Sequence, residues 1–205
     1  MTDVERLPRG RHKLSREDVV GQQRARMLTA LTEVLTERGY VNTPVAAVIE
    51  RAGVSRETFY QQFASKEACF IAAFEDAVGD VATALFTELG AAEGTPLERF
   101  DRGLKVYLAT LAAEPAKARL FLVETYAAGP EAMQRRLELQ AQFVDGIAAL
   151  FGARTKARRA VCEALVGAVV ALVTARFVAD DVAGLAAIRA PIVELAAGSL
   201  VRPRS

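Results

Sequence analysis

The chain has 205 residues, 52% of them hydrophobic and 25% charged, which is long enough for a sizeable core and too apolar for a disordered polypeptide. Its 26 Lys and Arg stand against 25 Asp and Glu, so overall charge does not draw it to nucleic acid and any basic surface must be local. Cys69 and Cys162 lie far apart with no Cys-x-x-Cys spacing, and the one histidine is His12, an inventory that argues against a disulfide scaffold, a metal centre and His-dependent catalysis.

Residues 1–15 read as a flexible basic arm. Between Arg6 and Arg16 stand Arg9, Arg11, His12 and Lys13 with no acid. Such an arm has two open uses, contact with backbone phosphates or a minor groove, or none as a solvated tail. No apolar run follows it, unlike a secretory signal, so the expected location is the cytoplasm.

Residues 16–65 read as three helices. Thr43-Pro44 predicts a helix start, with the threonine hydroxyl as cap and proline at the first helical position, followed by Val45, Val48 and Ile49 at helical spacing. Ala52-Gly53-Val54 breaks that helix where a left-handed residue is needed, and Ser55 caps the next. Phe59 and Phe63 share one face of this third helix, while Arg56, Thr58, Tyr60, Gln61 and Gln62 project away from it. Two short helices around a glycine turn form a helix-turn-helix, and these side chains suit base edges and phosphate oxygens in a DNA major groove. A plain amphipathic hairpin is the alternative.

Residues 66–205 read as six further helices. Ser65 caps one that runs through Phe70, Phe74 and Val78 toward Leu89 and ends over Gly90–Gly94. Thr95-Pro96, Pro115 and Gly129-Pro130 open the next three, and the last two span about Thr155–Ala179 and Asp181–Leu200. The run Ala164–Ala175 carries no charge on any face, which calls for burial all round, yet it falls short of the about 20 residues a membrane span needs. Gly167, Ala168, Ala171 and Ala175 allow close helix approach, and Leu185, Ile188, Ile192 and Leu195 offer a matching stripe. These helices are therefore expected to form a homodimer interface, with Gly167, Ala171, Ile188, Ile192 and Leu195 in it.

Phe100, Leu104, Tyr107, Leu108, Phe121, Glu124, Tyr126, Phe143 and Ile147 supply apolar walls and polar handles for a small-molecule pocket, although each alone also suits ordinary core packing. Glu124 needs a partner if buried, and Arg119 or Arg176 is available. Neither a Gly-rich phosphate loop, a nucleophile–base pair nor a Glu-x-x-His repeat occurs, so no enzyme activity, cofactor or metal site is expected.

The stretch Met27–Phe74 resembles the DNA-binding domain of tetracycline-repressor-like (TetR-family) regulators. The resemblance lies in Glu37-Arg38-Gly39-Tyr40 ending the first helix, Thr43, Ala52-Gly53-Val54-Ser55 at the turn, Thr58-Phe59-Tyr60, Phe63 and Ser65-Lys66-Glu67. It covers about the first third of the chain. Val48-Ile49-Glu50-Arg51 and Gln61-Gln62 depart from the common pattern, which bears on the operator read rather than on the fold. The resemblance implies an all-α protein with an N-terminal three-helix DNA-binding domain and a six-helix ligand-binding and dimerisation domain. It also implies pairing through the last two helices, and phosphate contacts by Thr43, Tyr60 and Lys66. The expected function is a ligand-responsive repressor that binds a palindromic double-stranded operator as a homodimer, without a membrane. The alternative is a dimeric helix-turn-helix protein with no inducer.

Overall fold

The computed structural model describes residues 15–90 and 93–201, and these are helical with no strand among them. Helix α1 (Arg16–Arg38) opens on a full capping box: the Ser15 hydroxyl accepts the Asp18 N–H and the Asp18 carboxylate accepts the Ser15 N–H. Arg16 thus belongs to a helix, and the other arm residues named above lie outside the described region. Helices α2 (Val45–Ala52) and α3 (Arg56–Gln62) pack across α1 through Val48, Phe59 and Phe63, all buried against Met27, Leu31 and Leu35. This small core is shared with Phe70 at the start of α4 (Lys66–Gly90), whose first turn is capped by Ser65.

The remaining helices form the body. They are α5 (Pro96–Ala113), a bent segment over residues 115–128, α8 (Pro130–Leu150), α9 (Lys156–Val178) and a last irregular segment, Ala183–Val201. The bent segment consists of α6 (Pro115–Arg119), a π-helical turn (Leu120–Glu124) and α7 (Thr125–Ala128). With each bent piece taken as one, nine helical segments stand among the described residues, and the whole is all-α.

Three expectations fail here for local reasons. Thr43 does not cap α2: its hydroxyl donates to the Gly39 carbonyl at 2.8 Å and the residue is buried, so Pro44 takes the cap position without a side-chain bond. The final segment does not start as a regular helix at Asp181. Residues Ala183–Ile188 form a 3₁₀ turn, and the phase it sets turns Leu185, Ile188, Ile192, Ala196 and Leu200 into the protein's own core. Ile188 and Ile192 are therefore core residues and not part of an exposed pairing face, whereas Leu195 stays 48% exposed.

The uncharged run of α9 is not buried on all sides within the chain. Cys162, Leu165, Val173 and Phe177 enter the core, while Ala164, Ala171, Leu172, Ala175 and Val178 lie at the surface. Both α9 and Ala183–Val201 are long and apolar enough to cross a membrane by composition, and both spend one face on this core.

Candidate DNA-reading head and ligand cavity

The head is built around a turn that only glycine makes easily. Gly53 adopts φ 62°, ψ 41°, and its N–H and that of Val54 return to the Ile49 carbonyl, closing α2 and aiming the chain into α3. Ser55 accepts the Thr58 N–H and lies 2.9 Å from the Thr58 hydroxyl, which fixes the first turn of α3. Phe59 and Phe63 anchor the inner face, their rings 5.6 Å apart, with the Arg24 guanidinium over Phe63. Burying each contributes on the order of 1.5–3 kcal/mol, so the outer face is held by the inner one.

That outer face carries Ser55, Arg56, Tyr60 and Gln61, all exposed, with Thr58 and Gln62 half-buried beside them. The Arg56 guanidinium lies 5.6 Å from the centroid of the Tyr60 ring, and Gln61 donates to Glu57 at 3.2 Å. Arg51, by contrast, is not a free cation. It pairs with Glu33 and Glu37 and bolts α2 to α1, a role its position in the sequence did not announce.

Lys66 behaves differently from an open phosphate anchor. Its ammonium donates to the Tyr40 and Thr43 carbonyls at 2.9 and 3.0 Å and lies 4.0 Å from the Tyr40 ring centroid. Partial burial pushes its pKa below the usual lysine value. Two of its three donors therefore hold the α1–α2 connection in place, and the Thr43 hydroxyl is turned away from solvent. Of the three groups implied as phosphate contacts, Tyr60 is the one whose side chain stands open, at 45% exposure.

The same connection meets the body. Glu124, at the end of the π turn, accepts the Tyr40 N–H at 2.8 Å across 84 residues of sequence. Gly39, at φ 72°, ψ 165°, takes a conformation that L side chains rarely adopt, and an added Cβ there would lie 3.7 Å from the Glu124 carboxylate. Neither expected partner serves Glu124: Arg119 pairs with Asp180 and Arg176 with Asp181. Tyr40 also packs edge-on against Phe70 at 5.3 Å, so one residue joins α1, α4 and the π turn.

The body contains a cavity of about 480 Å³. Phe100, Leu104, Tyr107, Phe121, Phe143 and Ile147 line it as expected, joined by Phe74 and by Val166, Val169 and Val170 of α9. Leu108 does not line it: it is 3% exposed and faces the core. Glu124 is likewise committed elsewhere, and Tyr126 is 61% exposed under the Arg136 guanidinium. The π turn puts an extra residue into the helical phase, so Thr125 and Ala128 point inward where a regular helix was expected to aim Tyr126. Burial pushes the Tyr107 phenol up to about 12, against an opposing effect of Arg136, so the hydroxyl is a donor at neutral pH. Arg136 and Arg99 in the cavity wall were missed because arginine on an amphipathic helix reads as surface.

A short helix with a buried aromatic face and an exposed Arg, phenol and amide ridge, set by a left-handed glycine turn, defines a helix-turn-helix protein. Residues 27–73 match the bacterial regulatory proteins of the tetR family. It is 26% identical over 142 residues to the HTH-type transcriptional regulator EthR of Mycolicibacterium smegmatis, a match that spans 69% of this chain and 60% of that regulator's length. A TetR-like transcriptional regulator from Rhodococcus sp. RHA1 shares the fold with a TM-score of 0.71 at 21% identity, covering 93% of this chain and 100% of the other. The regulator FadR from Bacillus subtilis, solved in complex with stearoyl-CoA, does so with a TM-score of 0.69 at 22% identity over 82% of this chain and 97% of its own.

Proposed function

We propose that this protein is a dimeric, ligand-responsive DNA-binding repressor of the cytoplasm. The observation that carries the reading is the exposed ridge Arg56–Tyr60–Gln61 on a helix whose other face is locked by Phe59 and Phe63. In this reading α3 enters a major groove. Arg56, Thr58, Gln61 and Gln62 face base edges, Ser55 and Tyr60 face the backbone, and Lys66 supplies charge beside them.

Two copies pair through the small-residue face of α9, with Gly167 and Ala171 at the contact and Leu195 beside it. Leu172 and Val178, 43% and 61% exposed, extend the same apolar face. A two-fold pair reads a palindrome whose half-sites stand about one helical turn apart. Binding in the cavity alters the π turn, and Glu124 transmits the change to Tyr40 and the head; the stearoyl-CoA bound by the B. subtilis FadR supports a ligand in a body of this shape. The ligand acts only insofar as it binds the free and DNA-bound arrangements unequally.

The test is a salt titration of DNA affinity. Arg56→Ala and Tyr60→Ala are expected to weaken binding, with the salt dependence flattened only where the Arg56 charge is removed, and variants that bind as tightly as the parent would remove α3 from the interface.

A further inference from the structure

We infer that the cavity takes an amphiphile with a carboxylate head, received by Arg136 together with Gln140 and Tyr107. This rests on the reading of the body as a ligand-binding domain and specifies the chemistry of its ligand.

Arg136 is 7% exposed, yet it lines the cavity from α8. One of its terminal nitrogens, Nη1, donates to the Phe121 and Leu122 carbonyls at 2.9 and 3.0 Å, in the π turn. Among the described residues it forms no ion pair with a carboxylate, so a buried charge stands compensated only by carbonyl dipoles and the Tyr126 ring face. The fork of a guanidinium leaves further donors in a plane suited to both oxygens of a carboxylate.

Gln140 lies one helical turn on, and Tyr107 lines the cavity from α5 with its ring 6.3 Å from that of Phe143 on α8. Neither the Gln140 nor the Tyr107 side chain hydrogen-bonds to another described residue, and no carboxylate lines the cavity. Guanidinium, amide and phenol thus present donors to a wall that, apart from Arg99 with its unpartnered buried Nε at the far end, is aromatic and aliphatic, the complement of an anion on an apolar tail. The tail follows α5 from Tyr107 past Leu104 and Phe100 toward Arg99, roughly 12 Å at 1.5 Å per residue. The head competes with the Phe121 and Leu122 carbonyls for Arg136, which places ligand recognition on the turn that ends in Glu124.

The experiment is calorimetric titration of the full-length chain with decanoate, decyl phosphate, decanol and methyl decanoate. Decanoate is expected to bind at least about tenfold more tightly than the alcohol or the ester, and more tightly than the phosphate. Tyr107→Phe and Gln140→Leu, which leave the π turn's own bonds intact, are expected to narrow the preference several-fold while leaving the ester unchanged. Arg136→Gln should abolish it, with the melting transition recorded to certify folding, and Arg99→Gln should preserve it.

Equal binding of all four probes would overturn the carboxylate head while leaving a ligand-responsive body standing. Preference for the phosphate, or loss of preference in Arg99→Gln alone, would also overturn the assignment. If no probe binds and a broad set of uncharged compounds gives no thermal shift either, the ligand-responsive reading falls with it.

Discussion

Replacing Glu124 by Ala removes the acceptor of the Tyr40 N–H, the bond that ties the α1–α2 connection to the π turn. A hydrogen bond to a charged group contributes about 1.5–3 kcal/mol net, and the half-buried setting of this one places the loss near 2 kcal/mol. In a chain of this size 1 kcal/mol shifts the melting temperature by about 2–4 °C, so Glu124→Ala should melt about 4–8 °C below the parent. Glu124→Gln keeps an acceptor without the charge and should lose about half as much. Hydrogen exchange gives the local reading: the Tyr40 amide should exchange roughly 30-fold faster in the Ala variant, with the Phe59 amide little changed. A Glu124→Ala protein that melts within about 1 °C of the parent and still protects the Tyr40 amide would refute the proposed joint.

Further outcomes follow from the same geometry. Phe59→Ala should cost about 3–5 kcal/mol and loosen the head before the body, seen as early exchange of α2 and α3 amides. Gly129→Ala combines φ 125° with a Cβ that would clash with the Glu67 carboxylate, and should cost about 1–3 kcal/mol by denaturant unfolding. Burial pushes the Cys69 thiol up to about 12, so at pH 8 it stays protonated and should resist alkylation in the native protein, becoming reactive once denatured. Ala171→Arg should split the proposed dimer with little loss of monomer stability, and sedimentation showing an intact pair would remove α9 from the proposed interface.

The parts legible in the sequence were those fixed by neighbours a few residues away. Gly53 and Ser55 are local punctuation, and the four-residue spacing of Phe59 and Phe63 decides which face of α3 is left for other work. Contacts between distant segments left no such trace. The Glu124–Tyr40 bond spans 84 residues, and the sequence offered Arg119 and Arg176 as partners only because they were cations of opposite sign. Lys66 looked open because nothing local revealed the two carbonyls it reaches. Tyr126 was misplaced because a π turn changes helical phase, and a 3.6-residue period carried across it points to the wrong face. Ile188 and Ile192 do share one stripe with Leu185, as their spacing indicates, but periodicity does not tell whether a stripe faces the chain's own core or a second copy, and this one faces the core. Arg136 went unseen because a buried guanidinium is recognisable only from the carbonyls and ring that surround it.

The most direct test of the central claim is selection of genomic DNA fragments by the purified protein, followed by footprinting of the best fragment. The account predicts an inverted repeat with half-sites about 34–36 Å apart, protected on one face of the duplex and lost when Arg56 and Gln61 are both replaced by Ala. Enrichment of no sequence above nonspecific binding, or a footprint the double variant reproduces, would contradict it.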